Sequence, residues 1–304
     1  MFVGHALLAF ALTVRLAGRC SVPRERALRY GVVAGLFAAV PDVDIVYAPV
    51  GLLLRSVDTV GPDVFWQTAN VIHRGPTHSL LMGGALAVAV ALWAVGTRPA
   101  RTVAAAVAAL LVGVATAVSG TVGGVVVLVF VLAGFAVGTY GTQRGLDPRA
   151  LLGVGLVGLL SHPFGDLFTG SPPPFLYPFD VVVVAERVAL HPDPTANLLL
   201  AFALELGVVW LAILTYARTR DIALVEYVNP RATLGVGYAA AALLLPAPTL
   251  EQSAVFVFSV LAIGAVGAPV RPFRNGVEPR EVVVTGLSAV TVAAIAYALA
   301  YGIL

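Results

Sequence analysis

The chain has 304 residues, 59% of them hydrophobic and only 11% charged, with a mean hydropathy of +0.95, so the bilayer is its solvent and no separate soluble domain of useful size fits. The formal net charge is +2 and all 18 basic residues are Arg, which excludes a Schiff-base lysine or a Walker-type phosphate loop and leaves no basic stripe for nucleic acid. The single Cys20 excludes a disulfide framework and a thiolate metal cluster.

Apolar runs separated by charged and Pro/Gly breaks predict an all-α fold, a polytopic transmembrane helical bundle of about ten spans, with eight to ten compatible with the shortest breaks. They fall near residues 2–17, 28–46, 79–96, 102–119, 121–140, 150–168, 197–217, 232–249, 253–270 and 282–303. In the first run Arg15 and Arg19 follow the apolar stretch and no small-residue cleavage site is evident, as expected of a retained helix rather than a signal peptide. His5 lies near the start of this run; a lone His there is more often interfacial than a ligand.

The second run is ended by Pro41, which places Asp42 and Asp44 on non-helical backbone where both carboxylates can turn toward one centre. Taken alone, the pair also reads as a solvated helix cap. A long connection then leads to His73, Arg74, Gly75, Pro76, Thr77 and His78, with Gly75 and Pro76 as a helix start. Two histidines framing a tight turn suit a metal, and the planar fork of Arg74 suits a phosphate or carboxylate oxygen, against the plainer alternative of an Arg snorkelling to lipid headgroups.

The fourth and fifth runs are separated by little more than a turn around Ser119 to Gly124. Late in the sixth, His162 and Asp166 stand four residues apart, one helical turn along one face, suited to gripping one cation. An unpaired Asp at that depth costs on the order of 3 kcal/mol, so it needs a partner. The following loop, 170–196, contains the run Pro172 to Pro174 and the valines Val181 to Val184, a short strand or an interfacial segment; His191 reads as an ordinary loop residue. Glu205 would sit about 12 Å into the seventh span at 1.5 Å per residue, a functional candidate by default. This divides the chain into a core carrying the His/Asp motifs, residues 1–196, and additional helices packed on it, residues 197–304.

With ten spans, every odd loop is basic and only Arg55, Arg74 and Arg187 fall in even loops, which predicts cytoplasmic odd loops and outward-facing termini. His5, Asp42/Asp44, His73/His78 and His162/Asp166 then come from four segments to one extracytoplasmic face. Neutral imidazoles mixed with carboxylates are the donors of catalytic Zn, Mn or Fe sites, and seven of them suffice for one or two ions.

Four stretches, the early His5, Gly35 to Asp44, His73 to Leu81, and Leu159 to Thr169 followed by Leu176 to Phe179, resemble the family of membrane-bound metal-dependent hydrolases, also described as LexA-binding, inner-membrane-associated hydrolases of the YdjM type. The resemblance covers roughly the first 180 residues, and beyond Ala196 only general hydrophobicity matches. It carries over to His5, Asp42, Asp44, His73, His78, His162 and Asp166 as metal ligands, with Arg74 and Asp44 as catalytic residues. A Thr commonly precedes the first His in such proteins; here it is Gly4. The order of motifs also looks like a distant echo of zinc-dependent phospholipase C domains.

The resulting expectation is a multi-pass plasma-membrane hydrolase using a divalent metal, zinc before manganese or iron. It would act by metal-activated water on a phosphoester or ester, lipid or lipid-like, at the extracytoplasmic interface, with membrane lipids as its surroundings and no nucleic-acid partner. The alternatives are an ion-coupled transporter, disfavoured by the absence of an internal repeat, and a non-catalytic scaffold in which the metal only ties helices together.

Overall fold

A computed structural model describes residues 2–46, 74–268 and 278–302, and divides the chain into two compact units, Met1–Arg187 and Val188–Leu304. Among the described residues there are nine α-helices, four 3-10 turns and no strand, in agreement with the all-α expectation. Val181 to Val184 form neither helix nor strand.

The first unit contains α1 (Phe2–Arg19), α2 (Arg24–Ala39), a 3-10 turn (Pro41–Val46), a second (Pro76–His78), α3 (Leu80–Val95), α4 (Arg98–Gln143) and α5 (Pro148–Asp166). The sequence sets most of these limits. Pro41 cannot extend α2, Ser79 caps α3 by accepting from the amides of Leu81 and Met82, and Gly96 at φ 81° ends it. Asp147 caps α5, with Pro148 at its first position. The core joins Phe37, Leu86, Phe130, Leu151 and Leu159. Helices α2 and α5 cross at Gly158, where a Cβ would meet the Ala34 carbonyl oxygen at 2.5 Å and Phe37 Cβ at 2.6 Å; only glycine permits that approach.

This packing gives the unit two chemically different ends. Arg15, Arg19, Arg24, Arg26 and Arg29 lie at the α1–α2 junction, Arg98 and Arg101 at the α3–α4 junction, and Arg144 and Arg149 at the α4–α5 junction. Arg29 donates to the Arg144 carbonyl at 3.0 Å, tying two of these junctions together. The start of α1, the end of α2, the start of α3 and the end of α5 carry His5, Asp42 with Asp44, His78, and His162 with Asp166. Helix α4 breaks at Gly120 (φ 70°, ψ −173°), and Ser119 beside the break meets the Tyr177 hydroxyl at 2.9 Å.

The second unit contains α6 (Pro194–Thr219), 3-10 turns at Leu224–Tyr227 and Pro230–Ala240, α7 (Ala241–Leu244), α8 (Ala254–Gly267) and α9 (Pro279–Tyr301). Its core stacks Tyr238, Phe256 and Tyr297. Trp210 of α6 donates to Thr291 of α9 at 2.9 Å.

The expectation of about ten spans is not met. Among the described residues three helices, α4, α6 and α9, are long and apolar enough to cross a membrane, with α3 and α8 as shorter apolar helices. The physical reasons differ from run to run. The runs at 102–119 and 121–140 are two helices joined without a loop at the Gly120 kink, within the single stretch Arg98–Gln143, and Gly124 closes on Thr116 across it. The run at 232–249 is mostly 3-10 turn followed by one turn of α-helix, ahead of Pro246 and Pro248. Helix α8 has only 14 residues, about 21 Å at 1.5 Å per residue. Helices α1, α2 and α5 carry arginines, histidines or aspartates within or at the ends of their apolar stretches. The assignment of odd and even loops, which depended on that count, loses its basis.

Candidate metal centre

Four chain segments meet at the other end of the first unit. His5 comes from the first turn of α1, Asp42 and Asp44 from the 3-10 turn that Pro41 initiates, and His78 from the turn Pro76–His78. His162 and Asp166 come from the last turn of α5, around an internal Pro163. His5, Asp44, His78, His162 and Asp166 are each no more than 3% exposed. The structure thus brings six of the seven expected ligands together with Arg74; His73 lies outside the described residues.

Four donor atoms lie close together in pairs. His78 Nε2 lies 3.3 Å from Asp166 Oδ2 and 3.7 Å from Asp42 Oδ1, while His162 Nε2 lies 3.4 Å from Asp42 Oδ1 and 3.5 Å from Asp166 Oδ2. Vertices of a tetrahedron with the 2.0–2.2 Å arms of a zinc site stand about 3.3–3.6 Å apart, so this spacing fits one small divalent ion. His162 Nε2 and Asp166 Oδ2 are buried without a hydrogen-bond partner among the described residues, a costly arrangement for polar atoms unless something else binds them. Two donor groups can hold a metal, Asp42–His78–His162 and His5–His162–Asp166, and they share His162.

Each donor is aimed by contacts on its far side. His162 Nδ1 donates to the Ala38 carbonyl at 2.6 Å, which fixes the tautomer with a lone pair on Nε2. His78 Nδ1 lies 2.9 Å from the Thr77 hydroxyl, which itself donates to Asp44 Oδ2 at 3.1 Å. Asp44 therefore stands behind His78, 3.4 Å from Nδ1 rather than beside Nε2. Asp166 Oδ1 meets His5 Nε2 at 3.2 Å and Arg74 Nη2 at 3.3 Å. The His5 ring stacks on His162 with centroids 3.9 Å apart. It lies so close to Gly165 that a Cβ there would fall 2.5 Å from His5 Cε1.

Arg74 is the hinge of this outer layer. Its φ of 66° lies in the left-handed region that non-glycine residues seldom adopt. Its amide donates to Asp44 Oδ2 at 3.1 Å, Nη1 to the carbonyls of Asp166 and Ser171 at 3.1 Å each, and Nη2 to the Thr169 hydroxyl at 3.2 Å. The guanidinium thereby caps the C-terminus of α5, where a cation is favoured.

The electrostatics also call for a cation. Burial alone raises the Asp42 carboxyl, but the His162 and His78 imidazoles outweigh it and hold the group well below the usual carboxylate range. Burial alone lowers His78, but the Asp166 and Asp42 carboxylates outweigh it and raise the imidazole above its ordinary value. A proton or a metal ion would answer the same demand.

Sequence reasoning singled out neither Thr77, Ser79 nor the Ala38 carbonyl. A backbone oxygen leaves no mark in a sequence, and the only sign of the two hydroxyls is that they flank His78. Ser79 donates toward the carbonyls of Phe175 and Tyr177 at 3.2 and 2.9 Å, pinning the segment after α5 to the start of α3. In the second unit, His191 is exposed in its loop, where Nδ1 accepts from the Asp193 amide at 3.0 Å, and Glu205 is half-buried on α6.

No curated protein and no solved structure matches the chain. Residues 1–244 match the family described as YdjM inner membrane protein, a stretch that contains every site residue above and runs through α6. With its apolar helices this makes it a membrane protein. The chain belongs to the YdjM inner membrane protein family.

Proposed function

We propose that this chain is a metal-dependent membrane hydrolase acting on a phosphoester or ester, lipid or lipid-like, with one ion held by His78, His162, Asp42 and Asp166. The observation that carries the proposal is the four-atom cluster, in which His162 Nε2 and Asp166 Oδ2 are buried without a hydrogen-bond partner among the described residues. One ion rather than two is favoured because His162 offers only Nε2 to both donor groups, Nδ1 being committed to Ala38. Zinc suits the spacing best, ahead of manganese or iron. A bound divalent metal supplies Lewis-acid polarisation of a substrate oxygen and a nucleophilic water at neutral pH.

The protein groups divide the remaining work. Asp42 is the donor whose side chain retains exposure, 12% against 3% or less for the other three, so substrate approaches from its side. Arg74 fixes Asp166 and keeps a positive charge beside the centre, where a developing oxyanion gathers. Asp44 acts through His78. Nine arginines at the α1–α2, α3–α4 and α4–α5 junctions, against Arg74 beside the His/Asp cluster, support an extracytoplasmic site, because basic residues favour the cytoplasmic side.

Four protein donors spaced 3.3–3.7 Å in these pairs also suit a second reading, a structural ion that ties the turns carrying Asp42 and His78 to the end of α5. Elemental analysis of protein purified in detergent, followed by a screen of phospholipids, phosphodiesters and carboxylic esters, separates the two. The hydrolase is expected to carry about one zinc per chain and to lose both zinc and turnover in the His162→Ala variant. Zinc without turnover on any of these substrates leaves the structural ion; fully stable protein without metal overturns both.

A further inference from the structure

His78 is held differently from His162. His162 sits in a continuous helix and donates straight to a carbonyl, whereas His78 is the last residue of a three-residue 3-10 turn. An imidazole binds a metal through Nε2 only in the tautomer that carries its proton on Nδ1, and some acceptor must hold that proton in place.

Asp44 looks like that acceptor, but its Oδ2 lies 3.4 Å from His78 Nδ1, outside good hydrogen-bond range. Thr77 closes the gap. Its hydroxyl lies 2.9 Å from His78 Nδ1 and 3.1 Å from Asp44 Oδ2, and the residue is 1% exposed. A hydroxyl carries one donor and two lone pairs. Its proton goes to Asp44 Oδ2, which leaves a lone pair to accept from Nδ1–H. Asp44 is itself held by the Arg74 amide at 3.1 Å, so the carboxylate end of the relay is anchored.

We infer that Thr77 is a positioning residue for the metal centre, its hydroxyl relaying the charge of Asp44 to His78 Nδ1 so that Nε2 faces the ion. The inference rests on the metal reading above. It explains why Asp44, buried and carboxylate-bearing, stands one residue away from the donor atoms instead of among them.

Thr77→Val removes the hydroxyl at nearly constant volume, and Thr77→Ser keeps it. Both are compared with wild type by competition of Zn2+ against a chelating dye, and by the visible spectrum after substitution with Co2+. Loss of such an outer contact weakens metal binding about 10–100-fold, so Thr77→Val is expected to fall in that range and to show an altered Co2+ spectrum. Thr77→Ser is expected to restore both. Wild-type affinity and spectrum in a folded Thr77→Val protein overturn the relay while leaving the metal centre intact. A wild-type protein that binds neither ion overturns the relay together with the hydrolase reading. Should Thr77→Val not fold, nitrogen NMR of histidine-labelled wild-type protein decides. A proton on Nδ1 and Zn2+ on Nε2 of His78 support the relay, and the opposite tautomer overturns it.

Discussion

The two units of the chain bury polar side chains in different ways. Among the described residues, the first unit buries His5, Asp44, His78, His162 and Asp166 beside Thr13, Thr77 and Ser79, whereas the second buries only Thr195, Asn197, Thr215 and Thr285. In the second unit these groups are neutral and serve the backbone: Thr215 donates to Leu211 at 2.7 Å, Asn197 accepts from the Leu190 amide at 2.7 Å, and Thr285 donates to Tyr227 at 2.9 Å. Such contacts satisfy helices and turns and ask for nothing further. In the first unit ionisable groups face one another, and His162 Nε2 and Asp166 Oδ2 have no hydrogen-bond partner among the described residues. Buried charge without a partner is expensive enough that it persists only where it is used.

The largest expected effect tests that difference directly. Asp166→Ala removes the carboxylate that His5, Arg74, His78 and His162 all approach. It should abolish zinc retention and cost about 3–5 kcal/mol in denaturant unfolding, the usual penalty for stranding a buried charge. Unchanged zinc content and an unchanged unfolding midpoint would show that the cluster is neither a metal site nor a structural knot.

A smaller effect is expected from Gly158→Ala. The new methyl meets Ala34, Phe37 and the Ala38 amide at 2.5–2.8 Å, and overpacking of this kind costs about 1–3 kcal/mol. Because the Ala38 carbonyl also orients His162, zinc affinity should fall along with stability. Stability lost with affinity intact would separate helix packing from ligand orientation. Ser79→Ala should cost about 1 kcal/mol through the lost cap of α3, read by thermal unfolding, and a midpoint equal to wild type would remove Ser79 from the account.

The gathering of Asp42, His78, His162 and Asp166 was largely legible in the sequence, because each sits where a local rule acts. Pro41 stops a helix just before Asp42, Gly75 and Pro76 start a turn just before His78, and His162 and Asp166 share one helical face. The number of membrane-crossing helices was not legible. A hydropathy window registers composition, and it scores a 3-10 stretch such as Pro230–Ala240 like a helix. Neither did pattern reveal the contacts behind the ligands. They depend on which carbonyl, hydroxyl or carboxylate the fold brings to each Nδ1, as with Ala38 and Thr77, and on the close approach that Gly158 allows between α2 and α5.

The smallest expected effect comes from the second unit and is the control for all the others. Thr291 accepts from Trp210 at 2.9 Å and donates to Leu287 at 2.8 Å, so Thr291→Val removes one tie between α6 and α9 together with one back-bond along α9. A net hydrogen bond of this type contributes about 0.5–1.5 kcal/mol. The valine fills nearly the same volume, and thermal unfolding should therefore shift slightly while zinc stoichiometry stays at the wild-type value. If zinc were lost as well, the metal centre would depend on α6 and α9 as much as on the ends of α1, α2, α3 and α5. The contrast between a unit that buries charge for use and one that buries polar groups only to complete its backbone would then fail, and residues 188–304 would have to be counted as part of the site.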